Sequence, residues 1–150
     1  MGDAWIVTVD TSVFEAALAR SRPGSPAREV LARARLVHFT PACSPMLQAE
    51  IFRRLRLAGL DLDIVEATLN ELAALALHVD VADHSDVVVR DVGDRFVVAL
   101  AIVSKSWCIV SQDKDLTERP PESRPPGLSP PKFLHRLREK RGESPDSRVS

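Results

Sequence analysis

At 150 residues, with 45% hydrophobic and 27% charged residues, the chain has the size and balance of one globular domain, which excludes a disordered or fibrous protein. Its two cysteines, Cys43 and Cys108, show no metal-binding or disulfide spacing, so no zinc or disulfide scaffold is expected and a reducing, cytoplasmic location suits them. No apolar run approaches the roughly 20 residues of a membrane span, and MGDAWIVTVD lacks a basic region followed by a long apolar stretch, so neither membrane insertion nor secretion is expected.

The formal net charge is −1, split between a +3 stretch over 117–150 and a −4 body. IVTV at 6–9 is a β-branched run without alternation, which reads as a strand buried on both faces and ending at Asp10. Thr11 or Ser12 then caps a helix over VFEAALAR, broken by the Arg-Pro-Gly-Ser-Pro stretch at 22–26. A second helix is expected over 27–34 and a strand over LVHF at 36–39, ended by Thr40 and Pro41. Ser44 and Pro45 open a helix that runs to Ala58 and stops at Gly59. Asp61 or Asp63 caps another through about Leu75, and ALHVDV and DVVVR follow as extended segments. Asp91 can cap a helix over about 93–104, WCIVS at 107–111 is a buried strand, and Gln112–Leu116 forms a turn or short helix. Seven of the 11 prolines lie between 120 and 145, making 118–127 an extended connector. A basic amphipathic helix over about 131–141 docks through Phe133, Leu134 and Leu137, and 142–150 is expected to be disordered. Alternating strands and helices predict an α/β domain with a mainly parallel sheet.

Three acids sit at related places: Asp10 after the first strand, Asp94 in the first turn of a helix, and Asp113 after the WCIVS strand. Open parallel sheets bind ligands beyond the carboxyl ends of their strands, so Asp10 and Asp113 are aimed at that rim. Glu50 is a fourth candidate. Each acid also has a purely structural use: Asp91 and Asp94 as helix-start charges, Asp113 as a turn former, Glu50 as a partner of Arg54 one turn on. If the four converge, two carboxylates about 5 Å apart repel by roughly 3 kcal/mol at an effective dielectric of 20, and the set needs a cation. Oxygen ligands without Cys or patterned His select a hard ion, Mg²⁺ or Mn²⁺, which ionises bound water and neutralises charge on a phosphodiester.

The runs IVTVDTSVF, SPMLQAEIFRRL, RDVGDRFVVALA and WCIVSQDKDL, in this order and spacing, resemble the PIN-domain family. They are most similar to its VapC-type toxin components of bacterial toxin–antitoxin pairs, and LSPPKFLHRL resembles the last strand and helix of that group. The likeness spans 5 to 137. It implies a three-layer α/β/α nuclease domain over 1–141 and a metal-dependent endoribonuclease. It assigns Asp10, Glu50, Asp94 and Asp113 to Mg²⁺ or Mn²⁺, with Asp91 and Asp115 accessory and Thr11, Ser12 and Ser111 as hydroxyls that orient the carboxylates. An RNA substrate, a homodimer and an antitoxin covering the site are also implied. Three positions depart from the family pattern: Ser12 stands where Asn is frequent, Gln112 where Gly is frequent, and Val92 where Pro often follows the position of Asp91. The alternative is a non-catalytic PIN-like module acting through a protein partner.

Arg53, Arg54, Arg56, Arg90, Arg95, Lys105 and Lys114 could line a groove for phosphates, with Arg54 and Lys114 favoured because they neighbour predicted ligands. His38, His78, His84 and His135 have no metal spacing, and Trp5 and Trp107 flank strands as core or edge residues rather than base-stacking platforms.

Overall fold

The computed structural model describes residues 5–20, 22–81 and 95–149. Strand β1 (Ile6–Val9) leads into helices α1 (Thr11–Ala19) and α2 (Pro26–Arg35), then β2 (Thr40–Cys43), α3 (Pro45–Leu57) and α4 (Leu62–Leu75). There follow β3 (Leu77–His78), α5 (Arg95–Val103), β4 (Cys108–Val110), α6 (Lys114–Thr117), β5 (Gly127–Leu128) and α7 (Pro130–Arg141). The sheet is parallel throughout in the order β3-β2-β1-β4-β5, with helices on both faces in a three-layer α/β/α arrangement. Among the described residues no helix is long and apolar enough to cross a membrane. DVVVR, Asp91 and Asp94 lie outside the described residues.

The strand expected over 36–39 is displaced to Thr40–Cys43. Helix α2 persists to Arg35, and Val37 takes a left-handed turn at φ 60° with its N–H on the Ala34 carbonyl, so the chain reverses where LVHF suggested extension. Pro41 then lies inside a strand. It can do so because β2 pairs with β3 only from Ala42 onward, which leaves the proline with a single neighbouring strand, β1. Other boundaries follow local chemistry: Ser44 Oγ accepts from the Leu47 N–H at the start of α3, and Gly59 closes that helix at φ 92°.

The core is built by β1, β2 and β4 with α1, α2, α3 and α7, and Phe133, Leu134 and Leu137 are fully buried in it. Phe133 meets Phe39 edge-on at 5.2 Å and Trp107 at 5.9 Å. Trp107 and Trp5 stand at the amino ends of β4 and β1 with Lys140 over both rings, at the far end of the sheet from Asp10. Gly127 lets β5 lie flush on α6, since a Cβ there would run into the Leu116 carbonyl.

Residues 142–149, expected to be disordered, instead fold back on a buried ion cluster. Arg33, wholly inaccessible, donates to Glu29 at 3.1 Å and to Glu143 at 2.9 Å. Arg138 donates through Nη2 to both Glu29 oxygens at 3.0 Å and through Nε to the Ser147 carbonyl at 2.7 Å. Two buried guanidiniums need more acceptors than Glu29 supplies, and the tail provides them. His38, beyond the end of α2, accepts from Arg33 at Nδ1, 3.3 Å away.

Arg33, and then Arg141, hold the Glu143 carboxyl down at about 2, against an ordinary value near 4.5. A carboxyl depressed on folding stabilises above its unfolded pKa and loses that contribution as pH falls through the folded one. Acid melts should therefore show Glu143→Gln less stable than wild type above about pH 4.5, with the gap closing toward about pH 2. A gap unchanged across that range would mean that the carboxylate charge is not what holds the tail.

Candidate active site

The chain lays β1, β2 and β3 outward in one direction, then returns to place β4 on the other side of β1. Loops leaving β1 and β4 diverge at this reversal, and the gap beyond their carboxyl ends is where open α/β sheets bind ligands. Val9 is in register with Val110, so the next residues, Asp10 and Ser111, face each other across the gap.

Asp10 is 7% exposed. Its Oδ2 accepts from Ser12 Oγ at 2.6 Å and from Ser111 Oγ at 2.8 Å. Each hydroxyl in turn accepts a backbone N–H, Ser12 from Gln112 at 3.0 Å and Ser111 from Asp113 at 2.9 Å. Those N–H donors fix the hydroxyl protons toward Asp10, so both serines donate to one oxygen of its carboxylate. The Asp10 main chain is occupied as well, its N–H on the Val110 carbonyl and its carbonyl accepting from Val13 at the start of α1. The caps expected at Thr11 or Ser12 fall instead to Asp10, whose carboxylate makes no capping bond. Oδ1 has no hydrogen-bond partner among the described residues.

The Asp10 carboxylate lines a cavity of about 440 Å³ together with Thr11, Ser12, Glu50, Gln112 and Asp113, and with Arg20, Arg53, Arg54 and Phe96. Asp113 caps α6, its Oδ1 accepting the Asp115 N–H at 2.9 Å. Glu50 pairs with Arg53, at 2.5 and 3.1 Å, rather than with Arg54. Arg54 sits one residue further round the helix and turns to Glu15 of α1 at 2.7 Å. Lys114 is exposed on α6 and does not line the cavity. Arg20 and Phe96 do line it, and no local motif marked either; only the reach of α1 and α5 back to the sheet rim brings them there.

Three of the four acids singled out from sequence, Asp10, Glu50 and Asp113, thus line one cavity, while Asp94 lies outside the described residues. Among the described residues no three carboxylates already stand close enough to share one ion. The donor set still fits a hard divalent cation: three carboxylates, one with a free oxygen, and the Thr11 hydroxyl, fully buried and unpartnered among the described residues. Thr11 therefore orients none of the described carboxylates. Both thiols are free and buried, and burial pushes Cys108 up to about 12, so neither offers a thiolate.

A PIN-domain sequence model matches residues 6–115. The chain belongs to the PIN-domain family. PIN domains are in general nucleases that use divalent metals. Two solved structures share the fold of this PIN domain. VapBC2 from Rickettsia felis, bound to a DNA fragment from its promoter, is 14% identical over 83% of this chain and 98% of its own, with a TM-score of 0.56. PAE2754 from Pyrobaculum aerophilum is 15% identical over 91% and 90%, with a TM-score of 0.54. No curated protein sequence matches the chain.

In this PIN domain Ser111 links two acids, donating to Asp10 and accepting from Asp113. Ser111→Ala should cost about 1–3 kcal/mol in denaturant unfolding, because it orphans the Asp113 N–H and removes one donor from a buried carboxylate. A loss near zero would mean that water replaces the hydroxyl and that the link between the acids is weak.

Proposed function

We propose that this PIN domain is a metal-dependent endoribonuclease, the toxin member of a cytoplasmic toxin–antitoxin pair. The observation that supports this most is the Asp10 carboxylate, held through one oxygen by two hydroxyl donors, with its second oxygen unpartnered among the described residues in a cavity of acids and arginines. Asp10, Glu50 and Asp113, with Asp94, would hold Mg²⁺ or Mn²⁺. Such an ion, when bound, supplies an ionised water and neutralises charge on the phosphodiester. The serines keep Asp10 from rotating. Arg20, Arg53 and Arg54 bring positive charge to the rim, where an RNA phosphate would be drawn in and oriented. For Glu50 to act as a ligand Arg53 must leave it, and an incoming phosphate is a natural acceptor for the released guanidinium.

The chain's own groups argue for water as nucleophile. Both serine protons are committed to Asp10, no histidine lines the cavity among the described residues, and the thiols are buried. Exposed apolar side chains on α3 and α4, including Met46, Phe52 and Leu57, suit contacts with a second copy and with an antitoxin, the partners that a VapC-type toxin would have. The Glu50–Arg53 pair favours one competing reading, a PIN-like module that binds a protein partner without turnover.

Incubation with mixed RNAs separates the two. The nuclease reading expects cleavage in Mn²⁺ or Mg²⁺, none in excess chelator, and a loss of at least about a hundredfold in Asp10→Asn. Cleavage undiminished by chelator would refute the mechanism, and no cleavage under any metal would leave the binding module.

A further inference from the structure

A second cavity, about 680 Å³, adjoins the first, and the two share Arg20 and Gln112 in their walls. Its volume is in the range of small-ligand pockets, so it has room for a nucleotide. Pro23, from the turn before α2, Pro26, the first residue of α2, and Pro131, from the start of α7, give it an apolar wall. Arg20 and Arg22 supply charge, and no acidic side chain lines it among the described residues. Arg22 is exposed and has no ion-pair partner among the described residues. A basic edge beside an apolar wall is the combination that holds a single nucleic-acid strand, with phosphates on the cations and bases or sugars on the wall.

Gln112 stands at the junction. Its backbone N–H is fixed on Ser12 Oγ at 3.0 Å, while its side chain is exposed. A primary amide carries both donors and an acceptor, which suits it to the edge of an unpaired base.

We propose that the second cavity is a nucleotide subsite for single-stranded RNA: it takes the residue next to the cleaved phosphodiester, with Arg20 and Arg22 on phosphates, the prolines against the base, and Gln112 reading the base edge. This rests on the nuclease reading. It goes beyond it by fixing the course of the strand and the residue that sets sequence preference.

The test uses the full chain and a fluorescent single-stranded oligoribonucleotide. Anisotropy in chelator, over a series of salt concentrations, reads binding without cleavage. Arg22→Ala should weaken binding about two- to fivefold and lower the slope of log affinity against log salt by about 0.7, the loss of one phosphate contact. Gln112→Ala should leave that slope unchanged but alter the ratio of kcat/KM, in metal, between RNAs that differ only in the nucleotide flanking the cut. A structural role for either side chain would lower stability without moving the slope or the ratio. If wild type cleaves RNA and both variants match it in slope and preference, the subsite is overturned while the nuclease stands. The same follows if the variants lose only the binding of a protein partner. If wild type neither binds nor cleaves RNA, the nuclease reading fails and takes this inference with it.

Discussion

One carboxylate oxygen, Asp10 Oδ2, holds together the ends of two neighbouring strands. Ser12 reaches it from the chain leaving β1 and Ser111 from the chain leaving β4, and each hydroxyl is itself fixed by a backbone N–H of the β4 loop. Two hydroxyl protons directed at one oxygen hold this almost wholly buried side chain in one orientation. Its other oxygen has no hydrogen-bond partner among the described residues. The parallel sheet makes this possible, because only side-by-side strands running the same way bring two carboxyl ends, and the two loops beyond them, to one rim.

Around that fixed carboxylate the cavity balances acids against arginines. Glu50 is tied to Arg53 and Arg54 to Glu15, both through pairs exposed enough to be exchanged at little cost. The buried ion cluster under α2 and α7 is the opposite case: Arg33 and Arg138 have no solvent to fall back on, and their removal from Glu29 would leave charge stranded in the interior. The chain thus keeps its rigid ionic cluster away from the cleft and its exchangeable pairs within it.

The placement of Asp10 and Asp113 was legible because the strands before them are short, unbroken apolar runs whose ends can be read directly. The strand after α2 was not, since LVHF has the composition of a strand and Thr40–Pro41 that of a stop, while the helix end is closed by the Val37 and His38 N–H groups on the Ala34 and Arg33 carbonyls, with a left-handed turn at a β-branched residue that seldom adopts one. Glu50 was legible as a candidate but not its partner, because positions three and four residues on are equally good on a helix and only the presence of Glu15 on α1 draws Arg54 away. The order in the polar tail was hidden for a like reason: its acceptors matter only to guanidiniums buried by other elements. Contacts such as Ser12 and Ser111 on one carboxylate join residues 99 apart and leave no local signal.

The claim on which all of this rests is that Asp10 presents a carboxylate oxygen to a divalent metal. Electron paramagnetic resonance of free Mn²⁺, titrated with the full chain, measures that without RNA or turnover. The account predicts loss of the free-ion signal with wild type and its retention with an Asp10→Asn protein that is still folded by circular dichroism; equal Mn²⁺ binding by both proteins, or by neither, would contradict it.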